Sequence, residues 1–100
     1  MTYWFVSRHP GAIAWAKLQK LPVTRWVKHL DVCEVSAGDL VAGTLPMEAA
    51  AAVCERGAKF FSLELHLAEN QRGRELSEKE LRDLNCSLQE FRVTRINQGV

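Results

Sequence analysis

Phe5-Val6-Ser7-Arg8-His9-Pro10-Gly11-Ala12 decides the fold, because an apolar run opens there into a short cationic turn and then into the start of a helix. Tyr3 to Val6 are aromatic or β-branched and suit a buried strand. Pro10 suits a first helical turn, where its missing N–H would have no partner in any case. A strand that ends in Arg8-His9 and feeds a helix beginning at Pro10 is a layout for holding an anion. The first free amides of the helix, at Gly11 and Ala12, would point with the helix dipole toward the turn. Ser7, Gly11 and Ala12 are therefore candidate ligand-binding residues, with Arg8 and His9 as candidate catalytic residues. Solvated turn residues are the plainer reading of Arg8 and His9. The full glycine-rich dinucleotide fingerprint is absent.

Outward from this turn, strands alternate with helices. Residues 2 to 7 read as a strand and 10 to 20 as a helix that packs through Ile13, Trp15 and Ala16. Val23 to Val35 reads as one extended segment interrupted around Lys28-His29, and Ala37-Gly38-Asp39 as a turn. Leu40 to Ala42 then form a short strand ending at Gly43-Thr44. Pro46 opens a second helix, with Met47, Ala50, Ala51 and Cys54 as its apolar stripe and Gly57 as its stop. Residues 58 to 67 alternate as a strand, with Phe61, Leu63, Leu65 and Leu67 on one face and Phe60, Ser62, Glu64 and His66 on the other. Ser77 and Glu80 form a capping box for a third helix, buried through Leu81, Leu84 and Leu88 and containing Cys86. Phe91 to Ile96 add a final strand.

The alternation predicts an α/β domain with a mostly parallel sheet flanked by helices, since crossovers between parallel strands place helices on the sheet's faces. Ligands in such sheets bind past the carboxyl ends of the strands. Arg8-His9 and Gly43-Thr44 both occupy such ends, so two separated segments converge on one expected site.

The 100 residues, of which 47% are apolar, correspond to one globular domain spanning 1–100. So small a domain buries a modest share of its surface, and a homodimer interface is a natural further source of stability. With 13 basic against 12 acidic residues the net charge is +1, which argues against a protein that coats long nucleic acid, so any phosphate partner is expected to be small. No apolar run reaches membrane-spanning length and the N-terminus lacks signal-peptide features, so the expected location is the cytoplasm, with no membrane partner. Cys33, Cys54 and Cys86 lack paired spacing and read as reduced thiols.

His9, His29 and His66 show no metal-ligand spacing, and neither metal nor cofactor is expected. His29 beside Asp31 reads either as a local polar pair or as a site residue, and His66 has the same two readings. Arg72-Gly73-Arg74-Glu75 either forks onto phosphate oxygens or forms an alternating surface turn. Ser7, Thr44 and Ser62 lack the elbow and partner base of a nucleophilic serine or threonine. What remains is a set of cations, hydroxyls and amides, suited to a substrate that carries its own nucleophile. RNA does so through its 2′-hydroxyl, which attacks the adjacent phosphate and leaves a 2′,3′-cyclic phosphate. Arg8 would stabilise the developing charge, and His9 would orient the hydroxyl or move a proton.

Phe5 to Ala12, His29-Leu30-Asp31, Gly38 to Pro46, Cys54-Glu55-Arg56-Gly57-Ala58 and Arg72 to Leu76 resemble, in order and spacing, a family of small accessory proteins of type III CRISPR loci. The resemblance runs from residue 3 to about 93. It implies a ring nuclease, which degrades the cyclic oligoadenylate messengers of antiviral signalling, notably cyclic tetra-adenylate. It also implies a Rossmann-like three-layer fold and a homodimer with the ring at its interface. Carried over by position, it favours Arg8, His9, Gly43, Thr44, Arg72 and Arg74 as site residues. Two rivals use the same turn. One is a sensor that holds the messenger without cutting it. The other is a phosphohydrolase of the histidine-phosphatase type, in which an Arg-His-Gly strand end supplies a phosphoryl-accepting histidine and Pro10 here replaces the glycine. A structural partner protein would instead expose Trp15, Trp26 or Phe60 as a patch.

Overall fold

A computed structural model describes residues 1–65 and 86–96. The expectations for His66, Leu67, Arg72, Arg74, Ser77, Glu80, Leu81 and Leu84 lie outside the described residues. The elements are β1 (Tyr3–Val6), α1 (Pro10–Leu18), β2 (Arg25–Val27), a 3₁₀ turn (Val32–Glu34), β3 (Leu40–Gly43), α2 (Met47–Glu55), β4 (Lys59–Leu65) and β5 (Cys86–Phe91).

The strands form one mixed sheet in the order β2-β1-β3-β4-β5, parallel at its first three pairings and antiparallel where β5 meets β4. β1 lies at the centre of the parallel part, and all four of its residues are buried. Alternation along it feeds two cores. Tyr3 and Phe5 pack with Ala12, Trp15 and Ala16 of α1, whereas Trp4 and Val6 pack with Ala50 and Val53 of α2. The two helices therefore cover opposite faces, as the period of two along a strand requires. Trp15 and Phe60 belong to these cores, whereas Trp26 is 37% exposed, its ring tilted at 49° to Phe5 with centroids 5.3 Å apart, so the three do not form a shared exposed patch.

Several boundaries differ from the sequence expectation. Val23 to Val35 is not one strand: only Arg25–Val27 pairs with β1, and Asp31 then caps a 3₁₀ turn by accepting from the Cys33 N–H at 3.0 Å. Asp31 is thus a cap. In α2 the buried stripe is Ala50, Ala51 and Val53, while Met47 is 79% exposed and lines a shallow cavity with Val93, Thr94 and Arg95. Gly57 closes the helix as expected, with φ at +86°. Leu88 sits in a strand rather than a helix, opposite Leu63, and Cys86 begins that strand. Arg92 to Ile96 continue without pairing, so the last strand is earlier than the sequence suggests. β4 supplies both faces, with Phe60 in the α2 core and Phe61 and Leu63 against the α1 core.

A buried carboxylate ties the amino end of the sheet together. Asp39 accepts from the backbone N–H groups of Thr2 and Ser36, each at 2.9 Å, and from Trp4 Nε1 at 3.2 Å. These bonds, led by those from Ser36 and Thr2, outweigh desolvation and hold its carboxyl below the ordinary carboxylate range.

Candidate functional site

The strand order places β2 and β3 on either side of β1, so the connections leaving β1 and β3 diverge to opposite faces of the sheet. That divergence opens a crevice at the carboxyl ends. A cleft of about 560 Å³ occupies it, lined by Ser7, Arg8 and His9 after β1, Lys28, His29 and Leu30 after β2, and Thr44, Leu45 and Pro46 after β3.

Each segment arrives there for a local reason. The Val6–Val27 register continues one step further, with the Ser7 N–H donating to the Val27 carbonyl at 3.0 Å, so Lys28-His29 leaves β2 alongside Ser7-Arg8. On the other side Gly43 lies opposite Val6, and a Cβ at Gly43 would collide with the Val6 carbonyl oxygen. Its φ of +126° adds a second requirement for glycine. This close approach lets the Thr44 N–H donate to the Val6 carbonyl at 3.2 Å and brings exposed Thr44 to the cleft.

The turn after β1 is held from within. Ser7 Oγ accepts from the His9 N–H at 3.0 Å. His9 is the N-cap of α1: its Nδ1 accepts from the Gly11 N–H at 3.1 Å, and its carbonyl accepts from the Ala12 N–H at 3.0 Å. The amides expected to be free for a ligand are therefore spent on the cap. Gly11 and Ala12 are buried, and neither they nor Gly43 line the cleft.

This cap also fixes the chemistry of His9. With Nδ1 accepting, the neutral ring carries its proton on Nε2 and is a hydrogen-bond donor there. The other tautomer would set two N–H groups against each other and leave the buried Gly11 amide unpaired, at a cost of about 1–3 kcal/mol.

Of the sequence-derived site residues, Ser7, Arg8, His9 and Thr44 come together at the cleft, while Arg72 and Arg74 fall outside the described residues. Lys28, which no sequence motif marks as a site residue, and His29, for which the sequence allows two readings, both line the cleft. The missed signal was the break at Lys28-His29, which marks the carboxyl end of β2. The described lining contains two strong cations, two imidazoles and two hydroxyls, and no carboxylate. Such a surface is suited to anionic oxygens. Among the described residues no group of three or more His, Cys, Asp or Glu could hold a metal ion, and no helix is long and apolar enough to cross a membrane.

Fold and site together define a mixed α/β protein with a cationic cleft at the switch point of a mostly parallel sheet. The chain belongs to the family described as "Putative CRISPR-associated protein (Cas_VVA1548)", whose model matches residues 4–94. It is thus a CRISPR-associated protein, the coarser part of what the sequence resemblance implied. No curated protein and no solved structure matches it.

Proposed function

We propose that this protein is a ring nuclease that binds cyclic oligoadenylate, with cyclic tetra-adenylate as the first candidate, and opens it without a metal. The observation that carries this reading is the cleft itself, in which Arg8, Lys28, His9, His29, Ser7 and Thr44 meet with no carboxylate among the described lining. Anionic phosphodiester is the complementary ligand. The 2′-hydroxyl of the substrate is the nucleophile, its oxygen bonds to the adjacent phosphorus, and the 5′-oxygen leaves, giving a 2′,3′-cyclic phosphate and a 5′-hydroxyl. Arg8 serves the charge that builds on the phosphate oxygens, and the Nε2–H of His9 donates to the bound phosphodiester.

The α/β sheet is read here as Rossmann-like and three-layered, with the ring lying across a two-fold homodimer in the cytoplasm. One cleft of about 560 Å³ has the capacity of a single small-molecule site, roughly 300–1,000 Å³, which suits part of a four-nucleotide ring. Two symmetry-related clefts would take its two equivalent halves. A histidine-phosphatase reading fits less well, because a phosphoryl-accepting Nε2 must be unprotonated and the Gly11 cap favours the opposite tautomer.

The test is incubation of the purified protein with radiolabelled cyclic tetra-adenylate in excess EDTA, followed by chromatography of the products. Linear products ending in a cyclic phosphate are expected. An intact ring retained by the protein would instead identify a sensor, and neither binding nor cleavage would overturn both.

A further inference from the structure

We infer that the proton of the attacking 2′-hydroxyl is taken by His29, and that His9 acts only as a fixed hydrogen-bond donor; this assignment rests on the ring-nuclease reading above. Two imidazoles line one cleft, and their surroundings divide the work. His9 is committed through Nδ1 to the Gly11 amide, so in the neutral ring Nε2 carries the proton and has no lone pair with which to accept another. His29 is exposed at the carboxyl end of β2 and lies beyond the Val6–Val27 register that aligns its segment with Arg8. The nearest candidate to orient it by sequence, Asp31, already accepts from the Cys33 N–H at 3.0 Å.

The charged groups around His29 are mainly cationic. Arg8 and His9 reach the cleft from the β1 turn, Lys28 and Asp31 flank His29 on its own segment, and the β3 side contributes Thr44, Leu45 and Pro46, none of them ionisable. In the step, the 2′-O–H bond breaks and its proton goes to a ring nitrogen of His29. The 2′-oxygen bonds to phosphorus, the P–O5′ pair leaves with the 5′-oxygen, and solvent water protonates that oxygen. The imidazolium then returns its proton to solvent, so nothing is oxidised or reduced.

Steady-state cleavage of cyclic tetra-adenylate in EDTA, followed across pH for wild type, His29→Ala, His29→Gln and His9→Asn, tests the assignment. His29→Ala is expected to lower kcat by about 100-fold or more with KM changed by less than about threefold. It should also lose the rise of rate from acid pH and recover part of its rate on addition of free imidazole. His29→Gln should lose the rate without regaining it through its own amide, while its unfolding midpoint stays that of wild type. His9→Asn, which keeps a helix cap, should retain the rise from acid pH whatever rate it loses. A His29→Ala protein with wild-type rate and pH profile would overturn the assignment and leave the ring-nuclease reading intact, as would imidazole rescue of His9→Ala in place of His29→Ala. A wild-type protein that cleaves no ring would overturn both.

Discussion

Asp39 shows how one residue of a small sheet carries a disproportionate load. It is 3% exposed, yet its side chain joins the chain's amino end, the turn before β3 and the indole of Trp4. Removing its charge leaves those buried N–H groups with a poorer acceptor, so Asp39→Asn should lower the unfolding free energy by about 1–3 kcal/mol in denaturant titrations. The pH dependence has a definite sign. Because the folded carboxyl titrates below its unfolded value, the unfolded chain binds more protons as acid is added. The stabilisation is therefore complete above the unfolded pKa of about 3.9 and is lost as pH falls through the folded value. Wild type should lose stability across that acid window, and Asp39→Asn should lack this part of the slope. An unchanged slope in the variant would show that other carboxylates govern acid unfolding.

At the scale of elements, the cap on α1 separates a structural role of His9 from a chemical one. Its imidazole satisfies the Gly11 amide, so His9→Ala should destabilise the protein by about 1 kcal/mol and His9→Asn should restore most of that loss, measured by reversible unfolding. Equal losses in the two variants would mean that packing, not capping, fixes this turn. Elements whose limits are local were legible in the sequence: Pro10 opened α1, Gly43 ended β3, and the alternation from Lys59 gave β4. Elements defined by distant partners were not. β2 is three residues long because only those pair with β1, and the break at Lys28-His29 marks its carboxyl end without revealing that partner or register. Leu88 matched a helical spacing from Leu84, but its position is set by Leu63 across an antiparallel pair. The site follows the same division. Arg8, His9 and Thr44 were legible as strand-end residues, whereas Lys28 stood at an interruption in a longer extended segment that did not read as a strand end. The Gly11 and Ala12 amides looked available because sequence alone does not reveal that His9 caps its own helix.

Over the whole molecule, a net charge of +1 coexists with a cleft whose described lining carries Arg8 and Lys28 and no carboxylate. Under the proposed function such a cleft would favour a compact polyanion, and the near-equal count of 13 basic and 12 acidic residues would give little general attraction for long nucleic acid. In the proposed two-fold dimer, one ring would face two copies of each cation, and binding should saturate at one cyclic tetra-adenylate per two chains. Isothermal titration in EDTA, with mass measurement of the complex, reads that ratio directly. Affinity should fall as salt rises, and Arg8→Ala should weaken binding, slow cleavage and flatten the salt dependence together, since one cation serves both bound substrate and developing charge. One ring per chain would place the complete site within a single protomer and remove the symmetry argument. A salt dependence unchanged by Arg8→Ala would remove Arg8 from the phosphate contacts even if the stoichiometry held. Long single-stranded RNA should compete poorly in the same titration, because its extended phosphates would reach the two clefts without the closed curvature that presents equivalent phosphates to both at once.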